Sequence, residues 1–258
     1  MLEDVVERSL YCPDPLPPDM PPPRWAADAR EVWMETGDGV RIHGLWWPEP
    51  QGRPVILFLH GNAQEAYSWS LVRQDLARLE CRMLLIDYHG YGKSGGEPGE
   101  AELYADGRAA LQWLAGEGAS DRDIVLFGKS LGGAVACEIA RGRGLAGLVL
   151  ESTFTSLAST ARYLFPFAPR YNPPADTYNS LSKLPEIRCP VLVVHGDTDA
   201  LIPVSEGLTL FEAAGEPKEL FLVEGAGHND VSMAAGDEYG ARIRGWLDGT
   251  GSTAESGP

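Results

Sequence analysis

Unbroken apolar runs recur along the chain: Val55-Ile56-Leu57-Phe58-Leu59, Met83-Leu84-Leu85-Ile86, Ile124-Val125-Leu126-Phe127, Leu148-Val149-Leu150 and Val191-Leu192-Val193-Val194. Runs that do not alternate predict strands buried on both faces, as in a parallel sheet covered by helices. A further strand is expected at residues 220–223. Upstream the texture differs. Residues 31–36 and 40–47 alternate apolar and polar positions around Gly37-Asp38-Gly39, which predicts an antiparallel hairpin. Helical composition falls between the runs, at residues 64–79, 100–115, 131–142, 205–214 and 234–247. A hairpin followed by alternating strand and helix predicts one α/β domain, a mostly parallel doubly wound sheet over residues 31–248.

The flanks read differently. Residues 1–30 carry Pro13, Pro15, Pro17, Pro18, Pro21, Pro22 and Pro23, and such a stretch is expected to run extended over the surface. Residues 249–258 are polar and rich in Gly and Ser, which predicts a disordered tail. Residues 151–188 interrupt the strand–helix alternation with Phe154, Tyr163, Phe165, Phe167, Tyr171 and Tyr178 among prolines. A segment between two central strands sits at the C-terminal edge of the sheet, where ligands bind. It is expected to form a short lid, with Phe154, Tyr163 and Phe165 shaping a substrate pocket. The plainer alternative is a connection whose aromatics pad the core.

Candidate chemistry concentrates at one turn. Gly128-Lys129-Ser130-Leu131-Gly132 lies between a predicted strand and the helical stretch Ala134-Val135-Ala136-Cys137. Strand, Gly-x-Ser-x-Gly, helix is the pattern of a nucleophile elbow, where glycines tolerate a crowded turn that exposes the serine. A nucleophilic serine needs a base, and the base an orienting acid. Two histidines follow Ser130. His195 ends a buried strand, whereas His228 lies in the glycine-flanked loop Gly225-Ala226-Gly227-His228 past the last strand, so His228 is the expected base. His195-Gly196-Asp197-Thr198-Asp199 supplies two acid candidates. Asp199 is assigned as the acid and Asp197 to the turn, since Asp readily bonds backbone nearby. Asp230 is too close to His228 in sequence for an easy approach. Two backbone N–H groups are needed for an oxyanion hole. Leu131 follows the nucleophile and supplies one. Asn62, in His60-Gly61-Asn62-Ala63 directly after a strand, is assigned the other, with Ala63 as the neighbouring alternative.

Composition narrows the function classes. A net charge of −16 over 258 residues argues against nucleic acid and against anionic membrane surfaces as partners. A hydrophobic content of 44% is enough for a sizeable core. The acidic start, Met1-Leu2-Glu3-Asp4, predicts no signal peptide, and no apolar run reaches the ~20 residues of a membrane span. Cys12, Cys81, Cys137 and Cys189 are scattered, which fits reduced thiols in a cytoplasm better than a disulfide framework.

Three other patterns are weak. Gly128-Lys129-Ser130 and Gly92-Lys93-Ser94 end like phosphate loops, but Asp123 and Asp87 occupy the positions where that loop needs its first glycine. Gly90-x-Gly92-x-x-Gly95 imitates a dinucleotide fingerprint, but Gly96-Glu97-Pro98-Gly99 blocks a helix from starting there. His195-x-Asp197-x-Asp199 lacks the further ligands of a metal site. No metal and no cofactor are expected.

Together, His60-Gly61-Asn62-Ala63, Asp87-Tyr88-His89-Gly90-Tyr91-Gly92-Lys93-Ser94, Gly128-Lys129-Ser130-Leu131-Gly132-Gly133, His195-Gly196-Asp197-Thr198-Asp199 with Pro203, and Gly227-His228-Asn229-Asp230 resemble the α/β-hydrolase superfamily. The resemblance is greatest to its serine aminopeptidase-like branch, whose relatives include lid-poor esterases and protein depalmitoylases. It covers residues 30–248 in order. It implies Ser130, Asp199 and His228 as a catalytic triad, with Asn62 and Leu131 as oxyanion donors. The activity expected is hydrolysis of ester or thioester bonds of small to medium acyl substrates through an acyl-enzyme. The alternatives are a peptidase or amidase, and a non-catalytic binding module on the same fold.

Overall fold

In the computed structural model, which describes residues 11–51, 54–164 and 173–253, β1 (Arg30–Glu35) and β2 (Arg41–Trp47) form the expected hairpin. Met34 faces Ile42 across it. Gly39, at φ +85°, supplies the left-handed residue that the turn requires. The buried runs become β3 (Val55–Leu59), β4 (Arg82–Ile86), β5 (Ile124–Lys129), β6 (Gly147–Glu151) and β7 (Val191–Gly196), followed by β8 (Lys218–Val223). All eight strands join one sheet in the order β1-β2-β4-β3-β5-β6-β7-β8. β2 is antiparallel to both neighbours, and every pairing from β4 to β8 is parallel.

The unbroken runs have a simple cause. Successive side chains on a strand point to opposite faces. In β3, Leu57 and Leu59 join one buried cluster while Ile56 and Phe58 join another. The first cluster is covered by α3 (Glu100–Gly116), α4 (Leu131–Ala140) and α7 (Val204–Ala213). The second is covered by α9 (Asp237–Thr253) through Tyr239, Ile243 and Trp246.

Several boundaries differ from the sequence expectation. Residues 64–79 are not one helix but α1 (Ala66–Trp69), α2 (Val72–Asp75) and a 3-10 turn at Ala77–Leu79. Ser70 Oγ donates to the Tyr67 carbonyl at 2.6 Å, so a side chain competes with the helix at its end. The helix expected at 234–247 is split by Gly236, at φ +54°, into α8 (Val231–Ala235) and α9. α9 continues to Thr253, so residues 249–253, expected to be disordered, are helical. Gly and Ser in a helix each cost about 1 kcal/mol or less and do not by themselves end it. Residues 254–258 lie outside the described residues, as do residues 1–10.

The segment 151–188 holds α5 (Leu157–Leu164), α6 (Ser180–Lys183) and a 3-10 turn at Leu184–Glu186. Phe154 and Tyr178 are buried in the core cluster beneath it, and Tyr163 is exposed. Two of its aromatics therefore pad the core. Phe165, Phe167 and Tyr171 lie outside the described residues. Glu206 in the first turn of α7 pins the start of the segment: it accepts from the Thr155 N–H and Oγ and from Ser159 Oγ. The N-terminal arm crosses the loops above the sheet. Cys12 bridges to Ala63, Pro15 bridges to Gly92, and the Leu16 N–H donates to the Gly92 carbonyl at 2.7 Å.

Candidate active site

Ser130 stands between β5 and α4 at φ 53° and ψ −119°, a region that L-residues rarely occupy. The surrounding glycines make this possible. A Cβ on Gly128 would lie 2.5 Å from the Gly132 carbonyl oxygen, and one on Gly132 would overlap the Leu59 carbonyl. That absence of side chains lets α4 start hard against the end of β3 and brings the His60–Ala63 loop beside the serine. A Cβ on Gly61 would sit 3.5 Å from the Ser130 Cβ. The Ser130 N–H donates to the Glu151 carbonyl, and its own carbonyl accepts from Thr153 Oγ1 at 2.7 Å, so the strained residue is held from both sides.

His228 reaches the serine from the loop after β8. Its Nε2 is 3.1 Å from Ser130 Oγ, and its Nδ1 is 2.7 Å from Asp199 Oδ2. The two loops that bring this pair together are tied by backbone. The Thr198 N–H donates to the Ala226 carbonyl, and the Gly225 N–H donates to Asp197 Oδ1 at 2.7 Å. Asp197 is exposed and acts in this tie, away from His228. Asp230 accepts from the Gly227 N–H and closes its own loop.

Asp199 is buried, and burial pushes its carboxyl up. Hydrogen bonds from His228 and from the Ile202 and Leu201 N–H groups outweigh that, and hold it below the ordinary carboxylate range. An ionised Asp199 accepts only, so His228 Nδ1 carries the proton and Nε2 is left to accept from the serine hydroxyl. His195, the histidine set aside as base, is fully buried and its pKa is driven down by burial. Its Nε2 donates to the Ile202 carbonyl at 2.9 Å, which steadies the loop that presents Asp199.

On the opposite side of Ser130, Leu131 opens α4. Its N–H is one of the first amides of the helix, which have no intrahelical acceptor. The Asn62 side chain accepts from Tyr91 OH at 2.8 Å and from the Cys12 N–H at 3.2 Å, which fixes the loop carrying it. Tyr88 OH donates to the His60 carbonyl and fixes the same loop from below.

A cavity of about 850 Å³ opens beside Ser130 and His228. Trp69, Leu71, Val72 and Leu201 give it apolar wall, and Lys129, Glu151 and Tyr239 give it a polar one. Phe154 and Tyr163, expected to shape the pocket, do not line this cavity, and Phe165 lies outside the described residues. The polar wall was missed in the sequence, although an acid ending the apolar run of β6 was a visible signal. All four cysteines are free; burial pushes the thiols of Cys81, Cys137 and Cys189 up to about 11, 12 and 12. No helix among the described residues is long and apolar enough to cross a membrane.

Comparison with known proteins places the fold among relatives. Residues 56–179 match the family model described as alpha/beta hydrolase family. The chain is 39% identical over 226 residues to an uncharacterized Mycobacterium tuberculosis protein, covering 86% of this chain and 80% of that one. It is 36% identical over 212 residues to human alpha/beta hydrolase domain-containing protein 17B, covering 80% and 72%. Among solved structures, a Pyrococcus furiosus esterase superposes with a TM-score of 0.76 at 20% identity, over 93% of this chain and 97% of that one. A thermophilic esterase from Thermogutta terrifontis gives 0.67 at 25% identity, over 86% and 99%.

Proposed function

Because this chain belongs to the alpha/beta hydrolase family, we propose that it is a serine hydrolase that cleaves ester or thioester bonds of small to medium acyl substrates. The observation that carries this reading is the hydrogen-bonded chain Asp199–His228–Ser130 at the mouth of the cavity. In the proposed reaction His228 Nε2 takes the Ser130 hydroxyl proton as Oγ attacks the acyl carbonyl. Asp199 holds the imidazole in the right tautomer and stabilises its protonated form. The Asn62 and Leu131 N–H groups receive the charge that develops on the carbonyl oxygen. The protonated His228 then gives its proton to the leaving alkoxide or thiolate, which departs and leaves an acyl-serine. Water, deprotonated by the same histidine, attacks that ester; the acyl–Oγ bond then breaks, His228 returns the proton to Ser130 Oγ, and the acid is released. Each half-reaction moves one proton through His228: the serine's to the leaving group in the first, water's to Ser130 Oγ in the second.

The test is turnover of one acyl group presented as a phenyl ester, a thioester and an anilide. The ester and thioester should turn over well above the anilide, and Ser130→Ala should abolish all three. Dominant anilide cleavage would make the protein an amidase. No turnover of any of the three would point to a binding module.

A further inference from the structure

Lys129 lies inside the elbow, yet the serine chemistry leaves it unused. Its side chain is 9% exposed and still lines the cavity beside Ser130. Its ammonium donates to Glu151 Oε1 at 2.5 Å, and the other carboxylate oxygen, Oε2, accepts from Tyr239 OH. The carboxylate is thus held from β5 on one side and from α9 on the other. An ammonium has three N–H donors. Among the described residues Glu151 is its only hydrogen-bond partner, so two donors remain at the cavity wall. A buried donor must find a partner, and in a cavity that partner is water or a ligand oxygen.

The surroundings narrow the choice of ligand. Glu151 and Asp75 also line the cavity, and among the described residues Lys129 is the only Lys or Arg that does. A carboxylate guest would meet two acids and one ammonium already engaged, so charge favours a neutral acceptor. A plain alkyl chain would strip water from the ammonium and return nothing. Lys129 and Glu151 rise from the ends of β5 and β6, and with Tyr239 they are buried, whereas Leu71 and Leu201 of the same cavity are exposed. The leaving group must exit to solvent, whereas the acyl group stays through both half-reactions.

Resting on the serine-hydrolase reading above, we infer that Lys129, held by Glu151 and Tyr239, is a specificity-determining residue: it donates to a neutral carbonyl oxygen within the acyl chain. The preferred substrates are then oxo-acyl or amide-bearing acyl esters and thioesters, not plain fatty acyl ones.

The experiment compares kcat/KM for nitrophenyl esters of a straight acyl chain and of the same chain with one methylene replaced by a ketone at successive positions. The wild type should favour at least one keto ester by roughly tenfold or more, as a site built to donate a hydrogen bond does. Lys129→Arg, which keeps charge and donors, should retain the preference. Lys129→Met should bring the ratio close to one. No preference in the wild type, or an undiminished ratio in Lys129→Met, overturns the inference. Fluorophosphonate labelling of each protein separates the two claims. Failure of the wild type to label removes the serine mechanism itself, while labelling with no keto preference removes only the role of Lys129.

Discussion

Asp197 and Asp199 differ in what they hold. Asp197 accepts from the Gly225 N–H on the surface, whereas Asp199 is buried against His228 Nδ1 and two amides. The two side chains therefore answer to different assays. Asp199→Asn is expected to keep the fold and lose roughly 10³–10⁴ in kcat, because an amide in that place favours the wrong imidazole tautomer. Asp197→Asn is expected to weaken the tie between two loops and cost no more than about tenfold, a figure set by one surface hydrogen bond of about 1 kcal/mol. Steady-state kinetics on both variants checks this, and a larger loss for Asp197→Asn would mean that the acid is misassigned. Sequence order makes the Ser130, Asp199 and His228 neighbourhood legible, since each follows a strand of the same sheet edge. The Lys129–Glu151–Tyr239 wall is not legible in that way. It depends on the register of β5 against β6, where Lys129 faces Glu151, and on a helix more than a hundred residues downstream.

At the scale of elements, strands are more legible in this sequence than helices. Burial on both faces writes itself into an unbroken apolar run, and β3 matches its run residue for residue. The break between α1 and α2 rests on one hydroxyl that bonds its own helix, which periodicity does not register. The loop after β3 carries a further consequence. His60 is fully buried, stacks near Trp69 and Tyr88, and donates Nδ1–H to the Gly61 carbonyl. Burial drives its pKa down to about 4, with Asp87 and the Gly61 carbonyl acting weakly the other way. The unfolded chain takes up this proton below about pH 6.5, and the native chain only near pH 4. The stability contributed by keeping His60 neutral is therefore complete above about pH 6.5 and is lost progressively as the pH falls toward 4. At about 1.4 kcal/mol per unit, the loss is on the order of 3 kcal/mol. Urea denaturation from pH 7 to pH 4 should show this slope, and His60→Gln should flatten it by one proton's worth. Equal slopes for the two proteins would contradict the assignment.

Over the whole molecule, net charge is expected to bias which leaving groups approach the site. The net charge of −16 gives an unfavourable approach to any leaving group rich in phosphate. A neutral phenyl ester of a butyryl group is expected to exceed butyryl-coenzyme A in kcat/KM. The gap should narrow at high salt, because screening at physiological ionic strength already acts over about 8 Å. A higher value for the coenzyme A thioester at low salt would reveal a basic surface that steers it. The same sheet that buries its apolar residues on both faces delivers the elbow, the acid loop and the histidine loop to one edge, and the account depends on that convergence. Its central claim is that Ser130 is the nucleophile. The most direct test is to treat the protein with a fluorophosphonate and locate the adduct by tandem mass spectrometry. The account predicts a single adduct on Ser130, absent in a folded Ser130→Ala variant. An unmodified wild type, or an adduct that persists in that variant, would contradict it.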